Sequence, residues 1–208
     1  LGENWVVDNE VLRRWIAADI TPDGSKIVMC ANAPAAPNNE NGGFIHKFYP
    51  GISSVWSTIY KSPSLSFVNY LLYRDIACSS DANYIYVTTL SYAYNRNCDV
   101  YRSSDGGSNW TTVLGPGTNP ATPGIYTSVT CSDNGQIVYV SNSDGTAPHK
   151  YSTNYGVTWS DVPDVTPTRF TMFIAMSADG NYIVTRYSNM DNRFGEKGIW
   201  TYRNGTWS

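Results

Sequence analysis

Five tryptophans, Trp5, Trp56, Trp110, Trp159 and Trp207, recur along the chain at steps of 51, 54, 49 and 48 residues. Spacing near 50 residues marks a repeat architecture, in which one unit cannot bury its apolar faces alone and stacks on its neighbours. Four-stranded propeller blades have periods in this range. The expected fold is all-β, a β-propeller of four repeat units forming a single domain over residues 1–208. The units run over residues 9–56, 57–110, 111–159 and 160–208, and residues 1–8 are left as a closing strand.

Each unit opens with the same short pattern. Ile20-Thr21-Pro22-Asp23-Gly24 aligns with Cys78-Ser79-Ser80-Asp81-Ala82, Cys131-Ser132-Asp133-Asn134-Gly135 and Met176-Ser177-Ala178-Asp179-Gly180. A β-rich run follows in every copy, for example Ile137-Val138-Tyr139-Val140. Asp-Gly or Asn-Gly between two such runs predicts a hairpin, because both residues tolerate positive φ. With the four strands of a unit named a to d, this hairpin joins a and b.

A second signature follows in two units. Ser103-Ser104-Asp105-Gly106-Gly107-Ser108-Asn109-Trp110 and Ser152-Thr153-Asn154-Tyr155-Gly156-Val157-Thr158-Trp159 share the form Ser-x-Asp/Asn-x-Gly-x-x-Trp. Such a turn needs a short acceptor side chain and a glycine in the left-handed region. The pattern resembles the Asp-box (BNR) repeat of sialidases, sortilin-type receptors and xyloglucanase-type propellers. The resemblance implies that the box is the c–d turn, with Asp105 or Asn154 capping backbone amides and Trp110 or Trp159 packing between blades. Ser103, Gly107, Ser152 and Gly156 complete the two structural boxes. Residues 51–56 and 202–207 read as a degraded and a shortened copy.

Trp5-Val6-Val7 aligns with Trp110-Thr111-Thr112, the start of a d strand, and the chain stops at Trp207-Ser208, where the next d strand begins. The expectation is that residues 4–8 pair with the strand around residues 199–202 and complete the last blade, which would remove open sheet edges. The competing expectation is a four-blade stretch of a longer propeller.

Charged residues are only 15%, the net charge is −3 and aromatics reach 14%. No basic stripe exists to neutralise phosphates, so nucleic acid is excluded as a partner. No apolar run approaches the ~20 residues that span a bilayer. Low charge with abundant Tyr, Asn, Ser and Thr suits an extracellular or surface-displayed protein, secreted or carried on a virion or cell. No signal peptide is visible, and a start at Leu1 favours a processed product. Asn109 and Asn204 fit the glycosylation sequon.

Cys78 and Cys131 share the repeat position of Ile20 and Met176, which favours a small apolar core role. Cys30 and Cys98 lie on neighbouring units and could form a disulfide. No Cys/His spacing matches a metal site, so neither metal nor cofactor is expected.

Repeated turns on one face make it scaffold, and function is sought in the irregular b–c and d–a connections opposite. The candidate ligand-binding residues there are Tyr73 and Arg74, then Tyr92, Tyr94, Asn95 and Arg96, then Asn189, Asp191 and Arg193. Aromatic faces beside amide and guanidinium donors suit sugar recognition. Trp15, Tyr73 and Tyr126 share one repeat position, which fits either inter-blade packing or a ligand platform. His46 and His149 both read as half-buried strand residues.

Sialidases hold the substrate carboxylate with three arginines from different blades, and Arg14, Arg74 and Arg169 lie near the starts of three a strands here. The sialidase Arg-Ile-Pro motif is absent, and hydrolysis by paired carboxylates finds only Asp75, Asp191 and Glu196 as loop acids, with nothing to pair them. No catalytic residue is assigned. The expected partner is a glycan or glycoprotein, bound without catalysis. The alternatives are a structural module that assembles with copies of itself or a larger parent, and a degenerate sialidase-like glycoside hydrolase.

Overall fold

A computed structural model describes residues 14–32, 43–52, 57–61, 71–91, 98–115, 118, 124–143, 147–162, 169–189, 197–203 and 206–207. These form sixteen strands in four antiparallel sheets, each built from four strands consecutive in sequence. The first blade holds β1 (Arg14–Ile20), β2 (Ile27–Asn32), β3 (Gly43–Phe48) and β4 (Ser57–Lys61). The second holds β5 (Leu71–Cys78), β6 (Ile85–Ser91), β7 (Val100–Ser103) and β8 (Thr111–Leu114). The third holds β9 (Tyr126–Cys131), β10 (Val138–Asn142), β11 (Lys150–Ser152) and β12 (Ser160–Asp161). The fourth holds β13 (Arg169–Met176), β14 (Tyr182–Asn189), β15 (Lys197–Arg203) and β16 (Thr206–Trp207). The first three sheets take their fourth strand from beyond the tryptophan that ends a sequence unit, whereas β16 ends on Trp207.

The first strands of successive blades stand side by side, β1 on β5, β5 on β9 and β9 on β13. A blade in the middle of this series has both faces covered. Its b strand is therefore apolar at consecutive positions instead of alternating, as in any sheet buried on both sides. Val138, Tyr139 and Val140 are all fully buried. Val138 and Val140, with Val129 of the same blade, pack towards Tyr86 and Leu114 of the second, whereas Tyr139, with Val162, packs towards Ile183 of the fourth. A third cluster joins the first two blades through Val28, Cys30, Ile45, Tyr73, Ile76 and Ile85.

The a–b turns are near copies of one another. Thr21 Oγ1 donates to Asp23 Oδ1 at 2.7 Å, and Asp23 Oδ1 accepts from Ser25 N at 2.9 Å. Ser79 with Asp81, Ser132 with Asn134, and Ser177 with Asp179 repeat the arrangement. These bonds hold the Asp23 carboxyl down at about 2, chiefly through Thr21, and also lower Asp179, chiefly through Ser177. The turns also join blades: Ser80 N donates to Asp133 O at 2.6 Å and Asp133 N to Ala178 O at 2.8 Å. Pro22 stands at this position in the first blade and has no N–H, and Lys26 Nζ reaches Asp81 O at 2.7 Å instead.

The two Ser-x-Asp/Asn-x-Gly turns lie between strands c and d, where the pattern places them. Ser103 Oγ donates to Asp105 Oδ1 and accepts from Gly107 N, both at 2.8 Å. Asp105 Oδ1 accepts from Asn109 N at 2.8 Å, and Trp110 Nε1 donates to Gly107 O at 3.0 Å. Ser152, Asn154, Gly156, Thr158 and Trp159 repeat the same bonds. Ser103 and the Gly107 N–H are buried, so Ser103→Ala leaves an amide without its acceptor. The expected loss is about 2 kcal/mol, read as a fall in the urea midpoint, because an orphaned buried donor carries its desolvation penalty.

All four cysteines are free thiols, which corrects the pairing considered for Cys30 and Cys98. Cys30 is buried between blades one and two and Cys98 between blades two and three, so a whole sheet separates their environments. Burial pushes the Cys30 thiol up to about 12. Residues 4–8, expected to close the ring, lie outside the described residues. Asn204 does also, whereas Asn109 is exposed in its turn.

Candidate functional site

The b–c and d–a connections leave the blades at the end opposite the repeated turns. The described residues at that end form a stapled rim. The Asn32 side chain spans from blade one to blade two, accepting from Tyr73 N at 2.8 Å and donating to Tyr73 O at 3.3 Å. Cys98 N donates to Gly124 O at 3.2 Å and Ser143 N to Ile125 O at 2.8 Å, which tie b–c to d–a connections. Thr89 N donates to Asp99 O at 3.0 Å, while Asp99 N donates back to Thr89 Oγ1 at 3.3 Å. The described ends of the b–c and d–a connections are thus tied to one another, and Asn32 ties blade one to blade two.

Tyr73 does not belong to a ligand site. It is 1% exposed in the core between blades one and two, and its ring lies over Gly43, where no side chain intervenes. Tyr126, at the same repeat position, is fully buried in the next interface. Of the three residues at that position only Trp15, 37% exposed, is open to solvent. Arg74 is exposed where β5 bulges between Tyr73 and Asp75. Tyr92, Tyr94, Asn95, Arg96, Asp191 and Arg193 lie outside the described residues, and Asn189 is described only as the last residue of β14. Arg74 is therefore the one candidate whose side chain is both described and open. Arg14 is exposed as well, at the start of β1.

Asp75, expected as a loop acid, sits inside β5 and is mostly buried. Its Oδ1 accepts from Ile76 N at 2.9 Å and its Oδ2 from Val129 N at 3.0 Å, so it clips blade two to blade three. Desolvation pushes its carboxyl up to about 6, against the opposing pull of these two amides. Asp19 clips blade one to blade two in the same manner, with Oδ2 accepting from Cys78 N at 2.8 Å. The two clips were missed because they occupy different columns of the repeat alignment: Asp75 aligns with Ala17, and Asp19 with Ala77.

His46 and His149 are buried. His149 Nδ1 accepts from Asn142 N at 2.8 Å, and burial holds its imidazole down at about 4, so it is neutral at pH 7. His46 lies against Trp15 edge-on with ring centroids 5.4 Å apart. Among the described residues no three His, Cys, Asp or Glu side chains converge to hold a metal ion. No helix of the described residues is long and apolar enough to cross a membrane.

No protein-family model matches the chain, and no curated protein is similar to it in sequence. Solved structures share its fold. A GH74 enzyme from Niastella koreensis superposes with a TM-score of 0.65 at 16% identity, covering 93% of this chain and 29% of its own. An ancestral GH74 enzyme gives 0.59 at 20% identity, covering 94% and 25%. A puromycin-hydrolyzing peptidase of Mycobacterium tuberculosis gives 0.53 at 13% identity, covering 93% and 28%. The chain thus spans between a quarter and a third of the length of these structures. They differ in chemistry and are distant in sequence, so what they share with this chain is the architecture: it is a β-propeller array of four blades.

Proposed function

We propose that this chain is a carbohydrate-binding β-propeller module, displayed outside the cell or on a particle surface, whose glycan or glycoprotein ligand sits on the b–c and d–a connections. The observation that carries the reading is the division of labour between the two ends. Side-chain and inter-blade bonds consume the polar groups of the repeated turns, while the opposite end presents Arg74 beside connections rich in Tyr, Asn and Arg. The c–d turns, with their Ser, Asp or Asn, Gly and Trp in place, support membership of the Asp-box class. The GH74 neighbours support a carbohydrate ligand by analogy of fold alone, and the site itself has to supply the contacts.

Binding without hydrolysis is the favoured form, because both oxygens of Asp75 already accept backbone N–H groups. A glycan array tests the reading. Binding to at least one oligosaccharide class is expected, weakened about tenfold by Arg74→Ala, the loss of roughly one charge-assisted hydrogen bond. No bound glycan, or binding indifferent both to Arg74→Ala and to replacement of residues 92–97, defeats the proposal. Release of reducing sugar from the bound glycan would make the module a hydrolase.

A further inference from the structure

We propose that a second copy of this chain docks head to tail, seating the outer face of its fourth blade on the outer face of the first blade. Every internal interface is built from the same two sets of repeat positions. Val28, Tyr86 and Tyr139 stand at one position of strand b, each facing the following blade, and each is fully buried. Their equivalent in the fourth blade, Val184, is 45% exposed.

The complementary position faces the preceding blade. Cys78 at the end of β5 is 9% exposed, whereas its equivalent Ile20 in the first blade is 53% exposed. Cross-strand partners share a face of a sheet. Ile20 pairs with Ile27 and Ala18 with Met29, so the open half of the first blade is apolar next to its a–b turn. Further along, the same face is buried at Phe44 and His46. On the fourth blade, Val184 pairs with Thr201 and Ala175, and Tyr182 with Arg203, all exposed. Tyr182 stands at the position of Tyr84 and Ile137, whose side chains lie over Gly135 and Gly180 of the next blade.

Next to the a–b turns, therefore, the described residues leave both halves of the blade-to-blade interface exposed, one on the first blade and one on the fourth. Among the described strands, none of the fourth blade packs substantially on the first. Large apolar side chains left exposed at positions that are buried or half-buried in every internal interface mark an interaction site. A contact between two different patches closes into a ring when the rotation permits. Two copies would hold eight blades, the upper end of ordinary propellers.

Analytical ultracentrifugation between about 1 and about 100 μM, the range in which an interface worth roughly 8 kcal/mol is half-formed, tests the proposal. The full 208-residue chain is expected to shift from 23.0 kDa to twice that mass with concentration. Ile20→Glu and Val184→Glu each spoil one face, and both sites are exposed enough for the fold to tolerate them, which unchanged thermal unfolding confirms. Each variant alone is expected to stay monomeric over this range, which requires the association constant to fall about a thousandfold. Mixed in equal amounts they are expected to form a heterodimer, because the intact fourth-blade face of one meets the intact first-blade face of the other. A wild-type chain that stays at 23.0 kDa, a variant that still pairs with itself, or a mixture that stays monomeric overturns the proposal.

Discussion

Gly43→Ala is expected to destabilise the protein by about 3 kcal/mol, the upper range for forcing an extra carbon into a packed core. Gly43 opens β3 opposite Asn32. A Cβ at this position would overlap the Tyr73 ring at Cδ2 and Cε2. The ring has nowhere to move. It is 1% exposed, packed among Val28, Cys30, Ile45 and Ile76, and its backbone is held at both N–H and C=O by Asn32. For a chain of this size the change lowers Tm by about 6–12 °C. Gly24→Ala is the control: nothing lies within 4 Å of the added carbon, and only a φ of 70° opposes it. That backbone strain costs about 1 kcal/mol. In a double-mutant cycle, shortening the ring through Tyr73→Leu is expected to recover part of the Gly43→Ala loss, with a coupling of about 1–2 kcal/mol. A Gly43→Ala protein as stable as wild type would mean that Tyr73 is not locked in the core, and would return it to the ligand site.

The same residue shows where sequence stops being informative. Period, hairpins and turn chemistry were legible because they are local: Thr21 with Asp23, or Ser103 with Asp105 and Gly107, act within a few positions and recur at fixed offsets. Tyr73 beside Arg74 at the foot of a loop looks like a sugar platform. Its burial depends on Gly43, thirty residues earlier on another blade, and no local pattern records that contact. Cys30 and Cys98 failed as a pair for a related reason: neighbouring units in sequence meet face to face in space, and the two thiols lie on different faces of the second blade. Asp19 and Asp75 escaped because one side-chain bond reaches 59 positions and the other 54. The outer faces of blades one and four stand out only when burial is compared position by position across the repeat. Ile20 and Cys78 read alike in sequence and differ sharply in exposure.

Asp75→Asn and His149→Gln are expected to tilt the pH dependence of stability in opposite directions, although the wild type changes little with pH over the same range. Asp75 is raised by burial from 3.8 to about 6. The folded state then holds the proton more tightly than the unfolded chain. Its contribution is fully present below pH 3.8 and is lost as pH rises through 6. His149 is lowered by burial from 6.5 to about 4. Here the unfolded chain holds the proton more tightly, so the contribution is fully present above pH 6.5 and is lost as pH falls through 4. Each shift spans a little over two pH units and corresponds to about 3 kcal/mol. The windows overlap between pH 4 and 6 with opposite slopes and nearly offset each other. Asp75→Asn leaves the imidazole unopposed, so stability should fall by about 3 kcal/mol between pH 6.5 and 4. His149→Gln keeps an acceptor for the Asn142 N–H and leaves the carboxyl unopposed, so stability should fall by a similar amount as pH rises from 4 to 6. Both variants lose absolute stability at every pH, so the slopes of urea-derived free energy against pH carry the test. Slopes equal to the wild type in both variants would mean that neither group changes protonation between folded and unfolded states. Below pH 4 all three proteins should weaken together, because Asp23 and Asp105, held near 2 by hydrogen bonds in their turns, stabilise the fold only while ionised.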